Sequence, residues 1–163
     1  MLSAVRRANF YLNMFGFTKV PLIWLCRPKI LAIDEKHVEV RIPLKRRTKN
    51  HLNSMYFGAL AVGADVAGGF LAMSKAEEQG ERISLAFKGV KADFLKRPEG
   101  DVHFVCHDGP LIDDMLRRTL ETGERVNQDV KITALCPSLH GDEPMAEFSL
   151  TLSIKKAAQK QAA

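Results

Sequence analysis

The chain has 163 residues, of which 46% are hydrophobic, and this length suits one compact core rather than two ordinary domains. Its net charge of +5 would suit a polyanion, but no basic run is interleaved with the aromatic residues that would stack nucleic-acid bases. We therefore expect no nucleic-acid partner. A small molecule that carries phosphate groups fits the charge as well.

The cysteine content and the hydropathy of the chain indicate in which compartment we expect the protein. The three cysteines are widely spaced and form no C-x-x-C pair, so they favour neither a zinc site nor a redox motif. We expect them to be reduced, which implies a cytoplasmic protein. Arg6 and Arg7 precede an apolar stretch as in a signal peptide, but polar residues and Pro21 interrupt that stretch. The apolar segment 58–73 contains an aspartate and falls short of the roughly 20 residues that a membrane span needs, so we predict a soluble protein.

The first elements in chain order are an amphipathic helix over residues 3–15 and an irregular apolar connector over 16–28, which is broken by two prolines. Neither indicates chemistry. From Val38 to Lys45 apolar and polar residues alternate, which predicts a strand with one buried face.

The least ordinary stretch follows the polar turn at 45–50. Asn53 or Ser54 can cap a long helix that continues to Gly80, and apolar residues surround this helix on every side. A helix without a polar face must be covered all round. In so short a chain, the cover has to be a sheet that wraps it, and the small residues of the helix would let the strands come close.

Further strand patterns follow the helix. The first runs from Ile83 to Phe94 and shifts its phase at Gly89, as a β-bulge would. The later patterns predict a strand at 102–106, a helix at 111–122, and strands at 130–134 and 146–154. In the last strand we expect four polar residues to face water, namely Glu147, Ser149, Thr151 and Ser153.

Most of these connections are too short for parallel crossovers, which predicts an antiparallel sheet of five to six strands curled around one long central helix. The fold class is therefore α+β. We expect a single domain over residues 1–155 and a disordered tail over 156–163.

Asp65 is the only charged residue between Gly58 and Met73. Burying an ionised carboxylate without hydrogen-bond partners costs free energy, so we expect a specific reason for an aspartate at this position. It is either a general base or nucleophile at a cleft, with its pKa set by partial burial, or an aspartate that reaches solvent at a helix crossing or a subunit interface. The residues alone leave both interpretations open.

Other candidates surround the start of the long helix. Asn50 could hold a water or a substrate carbonyl, or it could satisfy its own turn. The N–H groups around Phe57, Gly58 and Ala59 form a candidate oxyanion site, because the positive end of the helix dipole lies there. His51 is a secondary acid–base candidate, and its alternative is an exposed loop residue.

Basic residues near this helix start would suit the phosphates of coenzyme A, although each could also be a solvated surface residue. They are the run 45–49 together with Lys96 and Arg97. His103 and His107 share a strand face, but without a third ligand we expect surface imidazoles and no metal site. No G-x-S-x-G elbow, phosphate loop or dinucleotide fingerprint occurs.

The segment Asn-His-Leu-Asn-Ser-Met-Tyr-Phe-Gly-Ala-Leu-Ala-Val-Gly-Ala-Asp, from Asn50 to Asp65, resembles a motif of hotdog-fold acyl-CoA thioesterases, particularly the phenylacetate-pathway type. Without a gap, the Asn of that motif falls on Asn50, the second Gly of its Gly pair on Gly58, and its catalytic Asp on Asp65. The family's His falls on Tyr56, the first Gly of the pair on Phe57, and an earlier loop Gly on Asn53.

The resemblance continues beyond the helix. Residues 92–101 are similar to the family's strand that ends in Phe-Leu-Arg-Pro and a Gly turn. With the order of strands, the similarity spans roughly residues 30–155.

This resemblance implies a hotdog fold and an acyl-CoA thioesterase, in which Asp65 activates water, or attacks, at the thioester carbonyl. The N–H of Gly58 would stabilise the oxyanion, and Asn50 would orient the water. Expected substrate contacts are Tyr56, Phe57, Ala59, Asn53, His51, Lys96 and Arg97. Coenzyme A enters as part of the substrate, so no separate cofactor is expected. Such proteins are homodimers or dimers of dimers, that is homotetramers, with each site shared by two subunits.

Two alternatives stay open. Tyr56 is a poor base near neutral pH, its ordinary pKa being about 10, and this fits a non-catalytic acyl-CoA or fatty-acyl binding module on the same fold. An acyl-thioester dehydratase or hydratase would need a His–acid pair. His51 is the only nearby histidine, and the proline-rich loop of hotdog dehydratases is missing.

Overall fold

A computed structural model describes residues 3–158, in which a six-stranded sheet wraps one long helix. The helices are α1 (Ala4–Thr18), α2 (Pro21–Cys26), α3 (Phe57–Glu78), α4 (Gly109–Thr122) and α5 (Pro137–His140). The strands are β1 (Lys29–Ile33), β2 (Val38–Ile42), β3 (Ile83–Phe94), β4 (Val102–Cys106), β5 (Val126–Leu135) and β6 (Pro144–Lys156).

Every strand pair in the sheet is antiparallel, and the order is β1-β2-β4-β5-β6-β3. β3 is therefore an edge strand, paired along its length with β6 from Ile83 opposite Lys156 to Phe94 opposite Ala146. The register of this pair shifts between Phe87 and Gly89, which confirms the predicted bulge.

The long helix α3 lies at the centre of the core, and Ala64, Ala67 and Leu71 are completely buried. Gly63 permits close contact with the sheet, since a Cβ atom there would lie 2.2 Å from the ring of Phe104 on β4. The α+β class and the antiparallel sheet around one long helix are confirmed. This is the hotdog arrangement.

Among the described residues, α3 is the one helix long and apolar enough to cross a membrane, with a mean hydropathy of 1.5. However, 67% of that apolar window is buried inside the fold. The sheet, rather than lipid, covers it, and α3 is the core helix of this domain.

The N-terminal region differs from its prediction. α1 continues past Phe15 to Thr18, and the connector predicted to be irregular contains the short helix α2. Pro21 begins α2 because a proline at the first helical position has a suitable φ and needs no hydrogen-bond donor. β1, which has no alternating pattern of its own, pairs with β2 and completes the sheet.

The prediction that Asn53 or Ser54 caps the long helix is wrong, because α3 begins at Phe57 with Tyr56 in the capping position. Asn53 instead takes a left-handed turn conformation with φ of 59°. Ser54 is buried in the same turn, where its hydroxyl donates to the Oδ1 of Asn50 at 3.2 Å. Both side chains therefore serve the loop rather than the helix.

The last strand also differs in detail. Ser153 is buried rather than facing water, because Arg125 covers it and donates to its hydroxyl at 3.2 Å. β6 continues to Lys156, whose N–H donates to the hydroxyl of Thr119 at 3.0 Å, so the strand extends one residue into the predicted tail. The rest of that predicted tail, from residue 159 onward, lies outside the described residues.

Candidate functional site

The loop before α3 is held by its own hydrogen bonds. The hydroxyl of the buried Thr48 donates to the carbonyl of Pro43 at 2.6 Å and accepts the N–H of Lys45 at 2.9 Å. At the other end, the N–H of Met55 donates to the carbonyl of Pro98 at 2.9 Å. This bond fixes the loop beside the segment that follows β3.

Asn50 forms the inner turn of this loop. Its Oδ1 accepts the N–H of Leu52 at 2.9 Å and both the N–H and the hydroxyl of Ser54 at 3.2 Å. The amide oxygen therefore accepts hydrogen bonds from its own turn, which is the second of the two interpretations that the sequence left open for Asn50. The side-chain NH₂ group is the part of Asn50 that remains for a ligand.

The first turn of α3 offers backbone donors. Tyr56 makes no side-chain capping bond, and the N–H of Leu60 is the first to bond within the helix, at 3.1 Å from the carbonyl of Tyr56. The N–H groups of Phe57, Gly58 and Ala59 precede that bond and have no carbonyl partner in the helix. The side chain of Ala59 is buried, so only its backbone can serve a ligand.

Tyr56 covers Gly58. A Cβ atom on Gly58 would lie 2.5 Å from the Tyr56 ring, so the absence of a side chain is what lets the ring lie over this backbone. A ligand carbonyl that reaches the N–H of Gly58 must therefore pass beside the phenol of Tyr56.

An aromatic row connects the start of α3 with the edge strand. The ring centroids of Tyr56 and Phe57 are 5.3 Å apart, those of Phe57 and Phe94 6.3 Å, and those of Phe94 and Phe148 5.9 Å. Three of these rings are exposed, Tyr56 by 51%, Phe57 by 60% and Phe94 by 51%. Sequence reasoning did not select Phe94 as a site residue, although it belongs to the second motif that carried the resemblance.

Lys96 and Arg97 follow β3 and lie beside this row. They line a groove of about 490 Å³ together with Phe94, Leu95, Glu99 and His140. The Lys96 ammonium hydrogen bonds to Glu143 and thereby lowers the pKa of that carboxyl group. Arg97 forms no ion pair within the described residues, so it is the cation of this groove available to a phosphate.

Asp65 lies on the same side of α3 as Phe57 and Ala61, because residues four apart share one face of a helix. Its side chain is half-buried, and among the described residues no hydrogen bond or ion pair reaches its carboxylate. Burial without a compensating donor raises the pKa of Asp65 above its ordinary value of 3.8. One turn later, Gly68 and Gly69 on this face approach the ring of Phe87 on β3.

The structure does not bring all the predicted site residues together. Tyr56, Phe57 and Gly58 lie beside the segment of Lys96 and Arg97. Asp65 is seven residues along α3 from Gly58, about 10 Å along the helix axis at the ordinary rise per residue.

The remaining predicted residues lie on the loop. His51 is exposed and hydrogen bonds to nothing in residues 3–158, and Asn53 accepts a hydrogen bond from Lys49 at 3.1 Å.

The histidines and cysteines outside this region take structural positions. The Nδ1 of His103 lies 2.6 Å from the Oε1 of Glu39. The ring of His107 stacks on that of His37 with centroids 5.5 Å apart. No group of three or more side chains that could hold a metal ion occurs in the part of the chain that the structure describes. The three cysteines are free and buried, and burial raises the pKa of Cys106 to about 11.

Another cavity, of about 930 Å³, lies between α1, the turn after β1 and the C-terminal half of α3. Tyr11 and Phe70 form its apolar wall, and charged residues on all three elements line the rest. Burial and the nearby Glu77 carboxylate raise the pKa of Tyr11.

Family and structural comparisons agree with this architecture. The family described as "Domain of unknown function (DUF4442)" matches residues 9–152, most of the chain. The chain belongs to the DUF4442 family. Among curated proteins, none matches its sequence.

Solved structures share the fold of this DUF4442 domain. A protein of unknown function from Chlorobaculum tepidum superposes with a TM-score of 0.80 at 15% identity, over 94% of this chain and 97% of that one. A Pseudomonas aeruginosa protein described as a probable thioesterase gives a TM-score of 0.77 at 19% identity, over 96% and 99% of the two chains. A thioesterase from Haemophilus influenzae gives 0.70 at 15% identity, over 99% and 97%. At such identities the likeness shows the fold, and the predicted hotdog fold is confirmed.

Proposed function

We propose that this DUF4442 protein hydrolyses acyl thioesters, with acyl-CoA as the substrate class and Asp65 as the group that activates water. The observation that carries the proposal is a half-buried carboxylate without a partner in the described chain, on the open face of the central helix. Solved structures described as thioesterases have the same fold, which supports this reaction class.

In the proposed reaction, Asp65 accepts a proton from water, and the resulting hydroxide attacks the thioester carbonyl. The N–H of Gly58 donates to the oxyanion that forms, and the positive end of the α3 dipole stabilises its charge. The C–S bond then breaks, the acid is released, and the thiolate takes up the proton that Asp65 had accepted, which restores the carboxylate. The raised pKa of Asp65 makes it a stronger base than an exposed carboxylate.

The separation of Gly58 and Asp65 favours a site that two protomers share. Within one chain, Gly58 and Asp65 lie about 10 Å apart along the helix axis, and a site shared by two protomers would place the oxyanion donor and the base closer together. A second copy that pairs along the exposed edge strand β3 would bring Gly58 of one protomer towards Asp65 of the other. Val90, which is 69% exposed, and Phe94 would be covered in that assembly. We therefore propose a homodimer or a dimer of dimers.

Coenzyme A would enter over the aromatic row. In this proposal Arg97, with Lys96 beside it, receives a phosphate group, and Tyr56 and Phe57 contact the thioester end. The NH₂ group of Asn50 would hold the attacking water. Free buried thiols suit a reducing compartment, and we propose the cytoplasm.

A thiol-release assay over short, long and aromatic acyl-CoAs tests the proposal. We expect turnover with at least one acyl group, and a loss of roughly 10²- to 10⁴-fold in the Asp65→Asn variant, with oligomeric state retained. Asp142→Asn is the matched control, because Asp142 is exposed in a turn and forms no ion pair within the described residues. An unchanged rate in Asp65→Asn would remove Asp65 from the mechanism.

A second candidate is an acyl-CoA or fatty-acyl binding module that does not turn over its ligand. The observation that favours it is Tyr56, whose ring covers Gly58 where the similar thioesterase motif has a His. Stoichiometric binding without thiol release for every acyl group in the same screen would establish this function instead.

A further inference from the structure

The outward face of α1 is apolar where a surface helix should be polar. Phe10 is 70% exposed, Met14 48% and Phe17 66%, and their spacing of four and three residues places them on one face. The opposite face, with Ala8 and Leu12, is buried in the core. Exposure of these three side chains therefore does not come from poor packing of α1 on the domain.

The short helix α2 extends this surface. The Phe17 ring contacts that of Trp24 with centroids 5.6 Å apart, and the guanidinium of Arg27 lies 4.3 Å from the Trp24 centroid. Gly16 allows this close approach, since a Cβ atom there would lie 3.0 Å from the backbone nitrogen of Trp24. On α2, Leu22 is 57% exposed and Leu25 42%. We call these exposed apolar residues of α1 and α2 the N-terminal surface, namely Phe10, Met14, Phe17, Leu22 and Leu25.

The net charge of the protein comes from the N-terminal segment that forms this surface. The first 33 residues contain no Asp or Glu and five basic residues, which are Arg6, Arg7, Lys19, Arg27 and Lys29. The rest of the chain has 19 basic and 19 acidic residues. The five basic side chains are exposed, and none of them forms an ion pair within residues 3–158.

We propose that the N-terminal surface docks on an anionic lipid bilayer. Aromatic and aliphatic side chains bordered by Lys and Arg match the chemistry of a membrane interface, where apolar groups enter the boundary of the acyl chains and cations meet the lipid phosphates. A second copy of this chain is a poorer occupant, because it would bring five unpaired cations against five more. The proposal is independent of thioester hydrolysis, and α1 and α2 lie on the membrane rather than span it.

Co-sedimentation with vesicles tests this docking. We expect the full-length protein to bind vesicles of equal parts phosphatidylcholine and phosphatidylglycerol, and to bind pure phosphatidylcholine at least several-fold more weakly. Binding to the anionic vesicles should fall as salt is added, because salt screens the attraction between exposed charges. Equal binding to both vesicles, or none to either, would overturn the proposal.

Two kinds of variant separate the contribution of the apolar side chains to vesicle binding from that of the basic side chains. Phe10→Ser combined with Phe17→Ser should abolish sedimentation, while thermal unfolding stays near that of the parent because both side chains are exposed. Lys19→Glu should weaken binding to the anionic vesicles by about tenfold. Its matched control is Lys131→Glu, an equal charge change at an exposed position on β5, which should have little effect.

Size-exclusion chromatography of the parent and the double serine variant tests the competing occupant. The proposal expects the same oligomeric state for both proteins. A shift to a smaller species in the serine variant, with unchanged vesicle binding, would instead assign the N-terminal surface to an interface between copies.

Discussion

Two charged side chains on the central helix, Asp65 and Lys75, have opposite environments. The ammonium of Lys75 is buried and donates to both carboxylate oxygens of Asp113 on α4, at 2.9 and 2.8 Å. The half-buried carboxylate of Asp65 has no such partner among the described residues. A buried charge needs compensation. The fold supplies a counter-ion for Lys75, whereas the described residues supply none for Asp65.

The position of each residue explains the difference. Lys75 lies where α4 packs against the C-terminal half of α3, and that helix supplies the counter-ion. Asp65 lies towards the N-terminal half, on the face that continues to the exposed rings of Phe57 and Phe94. Around Lys75, α4 closes one face of α3, and near Asp65 one face of the helix is open to a ligand or a second protomer.

The largest effect on stability is expected at the Lys75–Asp113 pair. Asp113→Ala leaves the Lys75 ammonium buried without its partner, which should lower the free energy of unfolding by about 3 kcal/mol in urea denaturation. This is the low end for a buried pair, because the Asp113 side chain is itself 48% exposed. Replacing both residues, Lys75→Met with Asp113→Ala, should restore most of that loss because no charge stays buried. An Asp113→Ala protein with the parent's denaturation midpoint would show that the ion pair does not hold α4 on α3.

A smaller loss of stability is expected where the sheet packs closely against the side of α3 that faces away from Asp65. Gly63→Ala places a methyl group against the Phe104 ring, which should cost about 1–3 kcal/mol in the same denaturation measurement. Gly68→Ala is the matched control, since its nearest neighbour would be 3.4 Å away and the change gains up to about 1 kcal/mol of helix propensity. Equal destabilisation by the two substitutions would contradict this difference in closeness.

The smallest effect on stability is the pH dependence that Asp65 contributes. Because its folded pKa is raised above 3.8, the folded protein holds this proton more tightly than the unfolded chain does. Its contribution to stability is therefore fully present below the unfolded pKa and is lost as pH rises through the folded pKa. The parent should lose stability relative to Asp65→Asn over that window, and a pH-independent difference between the two denaturation midpoints would argue against the raised pKa.

Thioester hydrolysis should follow the same titration in the opposite direction. The active base is the ionised carboxylate, so thiol release should rise with pH through the raised pKa of Asp65. A limb of the pH profile that persists in Asp65→Asn would belong to another group.

Much of the architecture could be predicted because periodic patterns report local burial. Alternation over β3 and β6, the phase shift at Gly89 and the absence of a polar face on α3 were sufficient for a sheet that wraps a helix. The unusual carboxylate at Asp65 was also visible, since one charge stands out in an apolar run. The gapless resemblance then predicted the hotdog fold, and the shared fold of solved structures confirms it.

Only the tertiary structure decided which polar groups are already satisfied. The partner of Lys75 lies 38 residues away on another helix, and the amide oxygen of Asn50 is taken up by its own turn. Such pairings depend on how elements dock, which no local period encodes. For the same reason the sequence by itself determined that Asp65 is exceptional, while the fold decided that its carboxylate stays unpartnered in the described chain, on the open face of α3 and about 10 Å from Gly58.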